Sequence, residues 1–507
     1  MTGAVETVVS PDPELVALPV ARSTMRTLAS DVLIYGLGDV VLRASSLLAL
    51  PVYTRLFVPA EYGLLALGLS IAGMAATVVG LGGDSAYARY YFDGGTAEDK
   101  RSITSTWVIF LLVWSVGAIL LTLPFVPQLA SWSGMPRERG LVLTLALLGI
   151  PLTLLNSMLG QILRNEFRAR LFTVLNVAGT LATLALSFAG AVLLHRGIAG
   201  VLAGGIVASL LFLPVRWWYV RSMIGLQFSL SWLRKMLAFG LPLVPASMAY
   251  WVFGTSDRLL LSRLSTLDQT GLYSVANSFT SLLALLQGAV GQAWSPHLVR
   301  AYTEDAEAAR RLCGRVLTFL LLGFGILCVG LTAFSREAIM IAATPRYLGA
   351  AAAVGPLSLG YLAYASTQVT AVGISLTKRT SYFALFSWIA AGLNAGFNIL
   401  FIPRWGMMAA SWTTAGAYVF LTVAYAVTTQ RLWPIRYEGR RVALILALTF
   451  ASVLALPAIE ARMPEWAVWA KFLVCISYIL TALAVGGIRP AHLRRLRARG
   501  VLKEAVS

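Results

Sequence analysis

The sequence predicts an all-α polytopic membrane protein, and three observations support this fold class. Hydrophobic residues make up 58% of the 507 positions and charged residues only 12%, whereas charged residues make up about 25% of soluble domains. The mean hydropathy is +0.76. Apolar runs of roughly 20 residues, the length needed to cross a bilayer, recur along the whole chain. Lys and Arg concentrate in alternate loops, as they do in multi-pass membrane proteins.

The apolar runs predict about fourteen transmembrane helices, and twelve remains an alternative because the first span contains charges and the last two runs are shorter. The predicted spans lie near residues 32–52, 63–83, 103–125, 141–161, 171–194, 198–220, 238–260, 271–293, 314–334, 350–375, 382–402, 406–429, 441–458 and 466–487.

An imperfect echo between YGLG at 35–38 and FGLP at 239–242 indicates two lobes of six helices around a central cavity. Lobes with an even number of helices have the same orientation in the membrane. We therefore expect an N-lobe, a C-lobe and a pair of appended helices, flanked by tails and joined by an amphipathic cytoplasmic linker. The boundaries are 1–30 for a disordered cytoplasmic tail, 31–220 for the N-lobe, 221–236 for the linker, 237–430 for the C-lobe, 431–488 for helices 13 and 14, and 489–507 for a basic cytoplasmic tail.

The positive charge indicates topology rather than nucleic-acid binding. With the N-terminus in the cytoplasm, 28 of the 40 Lys and Arg residues fall in the tails and loops of that side, 11 on the other side, and Arg43 lies inside the first span. We expect both termini in the cytoplasm, a location in a bacterial inner membrane, and attraction of the net charge of +18 to anionic lipid headgroups. The first thirty residues lack the apolar segment of a removed signal peptide.

Composition argues against an enzyme and against a metal site. The three histidines, His195, His297 and His492, lie in predicted loops or tails without a neighbouring nucleophile. The three cysteines have no CxxC or Cys/His spacing, so no disulfide framework, metal site or cofactor is expected.

Arginines at or near membrane depth are the candidate binding residues: Arg43, Arg55 and Arg258. Charges at this depth cost roughly 2.5–3.5 kcal/mol on insertion scales, which makes them functional candidates by default. Arginine binds phosphate through a planar fork and stays protonated when buried, so these residues predict a phosphorylated substrate.

Each of two acids has a nearby base. Asp39 lies four residues before Arg43, on the same helix face, and Asp257 adjoins Arg258. The acids are candidates for coupling to a proton or sodium gradient, and the alternative is that both pairs only dock helices. Pro242 and Pro245 interrupt backbone hydrogen bonding at the start of the seventh span and are candidate hinges.

Four stretches resemble a known family: YGLGDVVLRASSLLALPVYTRLFVPAEYGLLAL from residue 35, SDRLLLSRL from 256, GLYSVANSF from 271 and GQAWSPHL from 291. Residues 30–430 resemble the Wzx-type polysaccharide biosynthesis flippases of the multidrug/oligosaccharidyl-lipid/polysaccharide exporter superfamily. The resemblance implies a carrier that moves a polyprenyl-pyrophosphate-linked oligosaccharide across the inner membrane, with a polysaccharide polymerase and export machinery as partners. It also implies that Arg43, Arg55 and Arg258 form a cationic cavity with Asp39 and Asp257 beside them.

Three other functions remain open. A peptidoglycan lipid II flippase shares the fold and the pyrophosphate anchor. A multidrug or cation antiporter of the same superfamily should carry unpaired acids in its cavity, whereas both acids here have an adjacent base. A scaffold without transport does not require charges inside the first span.

Overall fold

The computed structural model describes residues 49–93, 95–462 and 464–485, and within these ranges the regular structure is helical. The predicted first span lies largely outside the described residues, together with Asp39 and Arg43. In the described part, ten helical segments are long and apolar enough to cross a membrane, or eleven if a bent pair counts as one span. The chain is an all-α multi-pass membrane protein.

The helices before the linker form the N-lobe. Their bounds are α1, described over residues 49–56, α2 (Pro59–Val79), α3 (Gly83–Asp93), α4 (Ala97–Thr122), α5 (Val126–Trp132), α6 (Gly140–Asn165), α7 (Ala169–Val192) and α8 (Gly197–Val220).

The remaining helices form the linker, the C-lobe and the appended pair. Their bounds are α9 (Leu230–Gly240), α10 (Leu243–Leu264), α11 (Leu267–Glu304), α12 (Ala306–Ala333), α13 (Ser335–Ala342), α14 (Ala351–Thr370), α15 (Val372–Leu376), α16 (Ser381–Leu432), α17 (Gly439–Arg462) and α18 (Ala467–Val485).

The predicted spans from residue 63 onward each coincide with a described helix or helix pair. Two of them, 382–402 and 406–429, are the arms of α16. The arms are joined at Gly406, whose φ of +51° lies in the left-handed region that favours glycine. The backbone N–H of Met407 donates to the Gln269 side chain at 3.1 Å. Helix α16 is therefore a hairpin whose arms face each other.

The two lobes meet along α2, α10 and α11. Gly63 on α2 lies against the backbone of Leu267 and Gly271 on α11, where a Cβ atom on either glycine would collide with main-chain atoms. Hydroxyl groups extend the contact: Tyr347 donates to the Phe57 carbonyl at 2.8 Å. These contacts lie at the end of the helices that the distribution of Lys and Arg predicts to be periplasmic, and they hold the lobes together there.

A second close approach lies at the opposite end, predicted to be cytoplasmic. The chain breaks between α2 and α3 at Gly82, which has φ +66°, and the Gly82 backbone touches Gly240 at the end of α9. Helix α10 begins directly after Pro242, and Pro245 lies in its first turn, where a missing N–H costs no helical hydrogen bond. Both candidate hinge residues therefore lie where one helix ends and the next begins.

Helix α9 (Leu230–Gly240) overlaps the C-terminal part of the segment 221–236 that the sequence predicts as a linker. Its start is capped by the Ser229 hydroxyl. Phe239 on α9 packs edge-on against Tyr90 of α3, with the Arg89 guanidinium 5.6 Å from the Phe239 ring. The linker thus rests on the N-lobe and leads directly into α10.

The appended helices α17 and α18 pack on α12 of the C-lobe, and a buried charge joins them there. Lys471, only 2% exposed, lies 2.7 Å from Glu337 and 3.1 Å from Glu460. Lys471 lies inside the predicted span 466–487, and the structure buries it in α18. It connects α18 to both α13 and α17.

Candidate functional site

The centre of the C-lobe contains a buried acid, Asp257 of α10, that is 2% exposed. Three neutral side chains donate to its carboxyl oxygens: the Tyr273 hydroxyl at 2.6 Å, the Asn398 amide at 2.6 Å and the Thr414 hydroxyl at 2.8 Å. Hydrogen bonds to a charged group contribute about 1.5–3 kcal/mol each, and the desolvation of a buried carboxylate opposes them. The acid is therefore held by α11 and by both arms of α16.

A second layer of polar side chains holds these donors. Asn394, fully buried, accepts from Asn398 at 3.2 Å and donates to Thr414 at 3.3 Å. The Thr413 hydroxyl donates to the Asn398 carbonyl oxygen, and Ser256 lies 3.5 Å from Asn394. Each donor to Asp257 on α16 is thus fixed by another bond, which preorganises the group around the acid.

Arg258, the next residue of α10, faces the other way. Successive residues of a helix point about 100° apart, so the guanidinium leaves the Asp257 network and lies half-buried where α10 meets the N-lobe. Its Nε donates to the Ser274 hydroxyl at 3.3 Å. Its charge also acts on the Asp257 carboxyl group and on the hydroxyl groups of Tyr62 on α2 and Tyr361 on α14. No ion pair joins Asp257 and Arg258 among the described residues.

A cavity of about 540 Å³ lies below Asp257, on the predicted cytoplasmic side of the acid. Ala249 and Phe253 line it from the α10 face that carries Asp257 one turn later. Gln287 and Gln368 supply amide groups to the wall, and the rest of the lining is rich in aromatic rings: Phe253, Trp294, Tyr364, Phe383, Tyr418 and Tyr425. Ligand sites typically combine such an apolar, aromatic wall with a few polar groups.

Of the other candidate arginines, Arg55 lies apart from Arg258. It is exposed at the predicted periplasmic end, where its guanidinium donates to the Ile341 carbonyl at 3.3 Å and to the Pro51 carbonyl at 3.4 Å. Arg43 and Asp39 lie outside the described residues. The structure therefore places Arg258 at the contact of C-lobe and N-lobe, keeps Asp257 inside the C-lobe and leaves Arg55 at the edge of that contact.

Sequence reasoning missed the partners of Asp257 and one buried base. Asn394 and Asn398 are two of many polar residues inside the predicted spans, and periodicity does not sort these residues or single out Tyr273 and Thr414. Arg216 begins the sequence RWWYVR, which is typical of a membrane interface, but it lies in the last turns of α8 and is only 7% exposed.

The Asp257 network can hold a small cationic species. It offers oxygen atoms from a carboxyl, two amides and two hydroxyls, which is the donor type that hard cations prefer, and an acid of this kind can also bind a proton. Within the described ranges there is no group of three or more His, Cys, Asp or Glu side chains close enough to bind a metal ion together. A proton or a monovalent cation fits a single carboxyl group better than a multivalent metal does.

Comparison with known proteins shows the same architecture. The profile of a family described as polysaccharide biosynthesis protein matches residues 52–352. The solved structure of the lipid II flippase MurJ, in an inward closed conformation, superposes with a TM-score of 0.71 over 90% of this chain and 98% of that one, at 15% sequence identity. An inward-facing multidrug resistance MATE transporter of the MOP superfamily covers 80% of this chain and 95% of its own, with a TM-score of 0.58 and 15% identity.

A curated relative is more distant. An uncharacterised membrane protein of Methanocaldococcus jannaschii is 21% identical over 229 residues, which span 45% of this chain and 45% of that protein. This match thus covers about half of either protein. At these identities the solved structures establish the fold, and the family profile establishes the family.

Proposed function

This chain belongs to the polysaccharide biosynthesis protein family, and we propose that it flips a polyprenyl-pyrophosphate-linked oligosaccharide across the bacterial inner membrane by ion-coupled alternating access. The family and the fold are those of membrane flippases and transporters. The observation that carries the proposal is the arrangement of two adjacent residues of α10. Asp257 is enclosed in the C-lobe, while Arg258 faces the contact with the N-lobe.

Arg258 is the proposed pyrophosphate anchor. Its guanidinium bonds to the Ser274 hydroxyl and lies near the hydroxyl groups of Tyr62 and Tyr361, all of them neutral. A pyrophosphate would therefore meet a cation that forms no ion pair with a carboxylate in the described part of the chain, although its charge also acts on the Asp257 carboxyl group. Arg43 and Arg55 remain proposed contributors at other stages of the transfer. The isoprenoid chain would stay in the bilayer between the lobes.

The C-lobe cavity suits the sugar part of the substrate. Aromatic rings stack on the apolar faces of sugar rings, and the amides of Gln287 and Gln368 can bind hydroxyl groups. The cavity lies directly below Asp257, so its occupant and the acid share one face of α10.

Asp257 is the proposed coupling residue. Binding of a proton or of Na⁺ at its carboxyl group changes which neighbours can donate to it, and these neighbours belong to α11 and α16. Because Arg258 follows on the same helix, a shift of α10 moves the anchor as well. The break at Pro242 and Pro245, beside the contact of Gly82 with Gly240, is the proposed hinge.

Complementation of a deletion strain tests the proposal. Wild type should restore surface polysaccharide, whereas Arg258→Gln should leave lipid-linked oligosaccharide on the cytoplasmic face at normal protein levels. Arg263→Gln is the matched control, because Arg263 lies on the same helix, is exposed and donates to the Trp132 carbonyl. If Arg258→Gln restores surface polysaccharide to the wild-type level, Arg258 is not the pyrophosphate anchor. A wild type that changes drug tolerance but no glycan would overturn the flippase proposal in favour of drug export.

A lipid II flippase is the second candidate, because the fold likeness covers 98% of a protein with that function. Depletion of a host's own lipid II flippase separates the two. Rescue of viability by this chain would favour lipid II, and rescue of surface polysaccharide alone would favour the oligosaccharide. In either case we expect a protein of the inner membrane with both termini in the cytoplasm.

A further inference from the structure

The N-lobe contains a second polar cavity, of about 430 Å³, between α6, α7 and α8. Seven of its lining residues carry a hydroxyl or an amide, and one carries a charge. They are Thr153, Asn156, Ser157, Asn176, Thr180, Thr183, Ser209 and the buried Arg216. Among the described residues no acidic side chain lines this cavity itself, and the acid Asp84 hydrogen-bonds to the lining residue Ser157. The cavity is separate from both the Asp257 network and Arg258.

Arg216 is a buried cation whose described partners are all neutral. Its guanidinium donates to the Asn176 side-chain oxygen at 2.7 Å and to the carbonyls of Asn156 and Leu175 at 3.3 Å each. Its Nε has no partner among the described residues. A buried charge without a counter-charge is costly, typically by several kcal/mol. The guanidinium therefore has both the charge and a free donor to bind an anionic group.

Three threonines fix part of the wall around Arg216 as hydrogen-bond acceptors. The hydroxyls of Thr153, Thr180 and Thr183 donate to the carbonyls of their own helices at 2.9–3.0 Å, which leaves their oxygens free to accept. The Asn156 side-chain oxygen is buried and, like Arg216 Nε, lacks a partner in the described part of the chain. A ligand that uses these acceptors and Arg216 together presents several O–H donors and one anionic group.

This combination distinguishes between ligand classes. Most phosphate oxygens are hydrogen-bond acceptors, so a phosphate cannot donate to the acceptor oxygens of the three threonines. A neutral sugar would satisfy the wall but leave the Arg216 charge uncompensated. A carboxylated sugar satisfies both, because its hydroxyls donate to the wall and its carboxylate accepts from Arg216. The ring of Phe212 supplies an apolar surface for the sugar ring.

We propose that this N-lobe cavity binds an acidic sugar unit of the hexuronate type, with its carboxylate on Arg216. The proposal rests on the proposed function, because it makes that sugar a unit of the transported oligosaccharide. The family membership does not specify the transported glycan, and this proposal names one class of sugar in it.

Equilibrium binding to the purified full-length protein tests this. The probes are glucuronate, glucose and inorganic phosphate at equal ionic strength. We expect glucuronate to bind at least about tenfold more tightly than glucose or phosphate, and Arg216→Gln to lose that preference. Arg221→Gln is the matched control, because Arg221 is exposed at the end of the same helix and lies over the Trp218 ring. It should bind glucuronate as wild type does.

Several results would overturn the proposal. They are an absence of glucuronate binding to wild type, equal binding of phosphate, and unchanged binding by Arg216→Gln. If Arg216→Gln does not fold, Asn176→Asp replaces it, since a fixed carboxylate next to Arg216 should abolish glucuronate binding. Retained binding by Asn176→Asp contradicts the proposal. Recovery of folding by Arg216→Gln when Asp39→Asn is added would show that an acid of this chain already partners Arg216.

Binding does not depend on transport, so the two proposals can fail separately. Glucuronate binding without any effect on surface glycan in the deletion strain would refute the flippase function only. Restored glycan without glucuronate binding would refute the acidic sugar only.

Discussion

The two lobes solve the problem of a buried charge in opposite ways. In the C-lobe, Asp257 receives three hydrogen bonds from neutral donors that are themselves held by other side chains. In the N-lobe, Arg216 bonds to carbonyl and amide oxygens, but its Nε and the Asn156 side-chain oxygen each lack a partner among the described residues. Within the described residues, the hydrogen bonds of the Asp257 network are complete, whereas the Arg216 network leaves one donor and one acceptor without a partner.

This difference indicates different occupants. A complete network around an acid needs only a proton or a small cation to change its state, which suits a coupling site. An incomplete network beside a cavity lined with hydroxyls suits a larger ligand that brings its own hydrogen-bonding groups. We therefore assign the ion to the C-lobe network and an acidic sugar to the N-lobe cavity.

The largest effect is expected for Asp257→Asn. The substitution keeps the size of the side chain but removes the charge that a proton or cation would neutralise, and transport should fall at least about tenfold, as expected for loss of a coupling interaction. The measurement is the rate of substrate flipping at matched protein levels.

Asp268→Asn is the control for this comparison, because Asp268 is exposed at the start of α11. Its rate should equal that of wild type. Normal transport by Asp257→Asn would show that the C-lobe network only stabilises the fold. It would contradict the assignment of the coupling ion to this lobe.

Lys471→Met tests what happens when a cluster of charged groups loses its buried base. Glu337 and Glu460 would then face each other without the ammonium group that lies within 3.1 Å of both. Breaking a buried ion pair costs about 3–5 kcal/mol, and we expect about 1–3 kcal/mol here because the two carboxylates are partly exposed. The measurement is the free energy of unfolding in detergent. Arg336→Gln is the comparison, because it removes only the 3.5 Å pair of a half-exposed side chain with Glu460. An equally small cost for Lys471→Met would contradict the assignment.

Tyr273→Phe measures how much one hydrogen bond to Asp257 contributes to stability. It removes one donor to Asp257 and leaves the aromatic ring in place, so the unfolding free energy should fall by about 1.5–3 kcal/mol. The matched variant is Tyr361→Phe, whose hydroxyl makes a 3.3 Å bond to the neutral Asn277. We expect a smaller loss of about 0.5–1.5 kcal/mol for it. Equal losses would show that Asp257 gains little from its donors.

The smallest effect concerns an acid outside the membrane. Asp305 caps α12, and the backbone N–H groups of Ala308 and Glu307 that donate to it lower the pKa of its carboxyl group. A lowered folded-state pKa adds stability above the unfolded-state pKa and loses it as the pH falls through the folded-state value, hence below about pH 4. Asp305→Asn should speed hydrogen exchange in the first turn of α12 at pH 7 and approach wild type in acid. A pH-independent difference would contradict the cap.

Local pattern predicted the membrane helices well but could not predict the networks. Apolar length placed two spans at 382–429, and the structure folds them as the hairpin of α16 around Gly406. By contrast, Asp257 and Asn398 are 141 residues apart in sequence, and no periodicity encodes such a contact. The sequence suggested a pair of Asp257 with Arg258 because they are adjacent. Adjacent residues of a helix diverge, however, so they face different partners.

Arg216 shows a related limit. Hydropathy does not separate the last turn of a transmembrane helix from the basic, aromatic interface that follows it. The whole sequence RWWYVR at 216–221 is therefore typical of a membrane interface. Only the packing of α6, α7 and α8 shows that the first arginine is buried and the last exposed.

The most direct test of the central claim is flipping in proteoliposomes that contain a polyprenyl-pyrophosphate-linked oligosaccharide labelled on its sugar. An imposed proton or sodium gradient should drive transfer between leaflets by wild type. Asp257→Asn should lose the dependence on the gradient, and Arg258→Gln should lose transfer itself. Transfer by wild type at the rate of protein-free liposomes, under either gradient, would contradict the account.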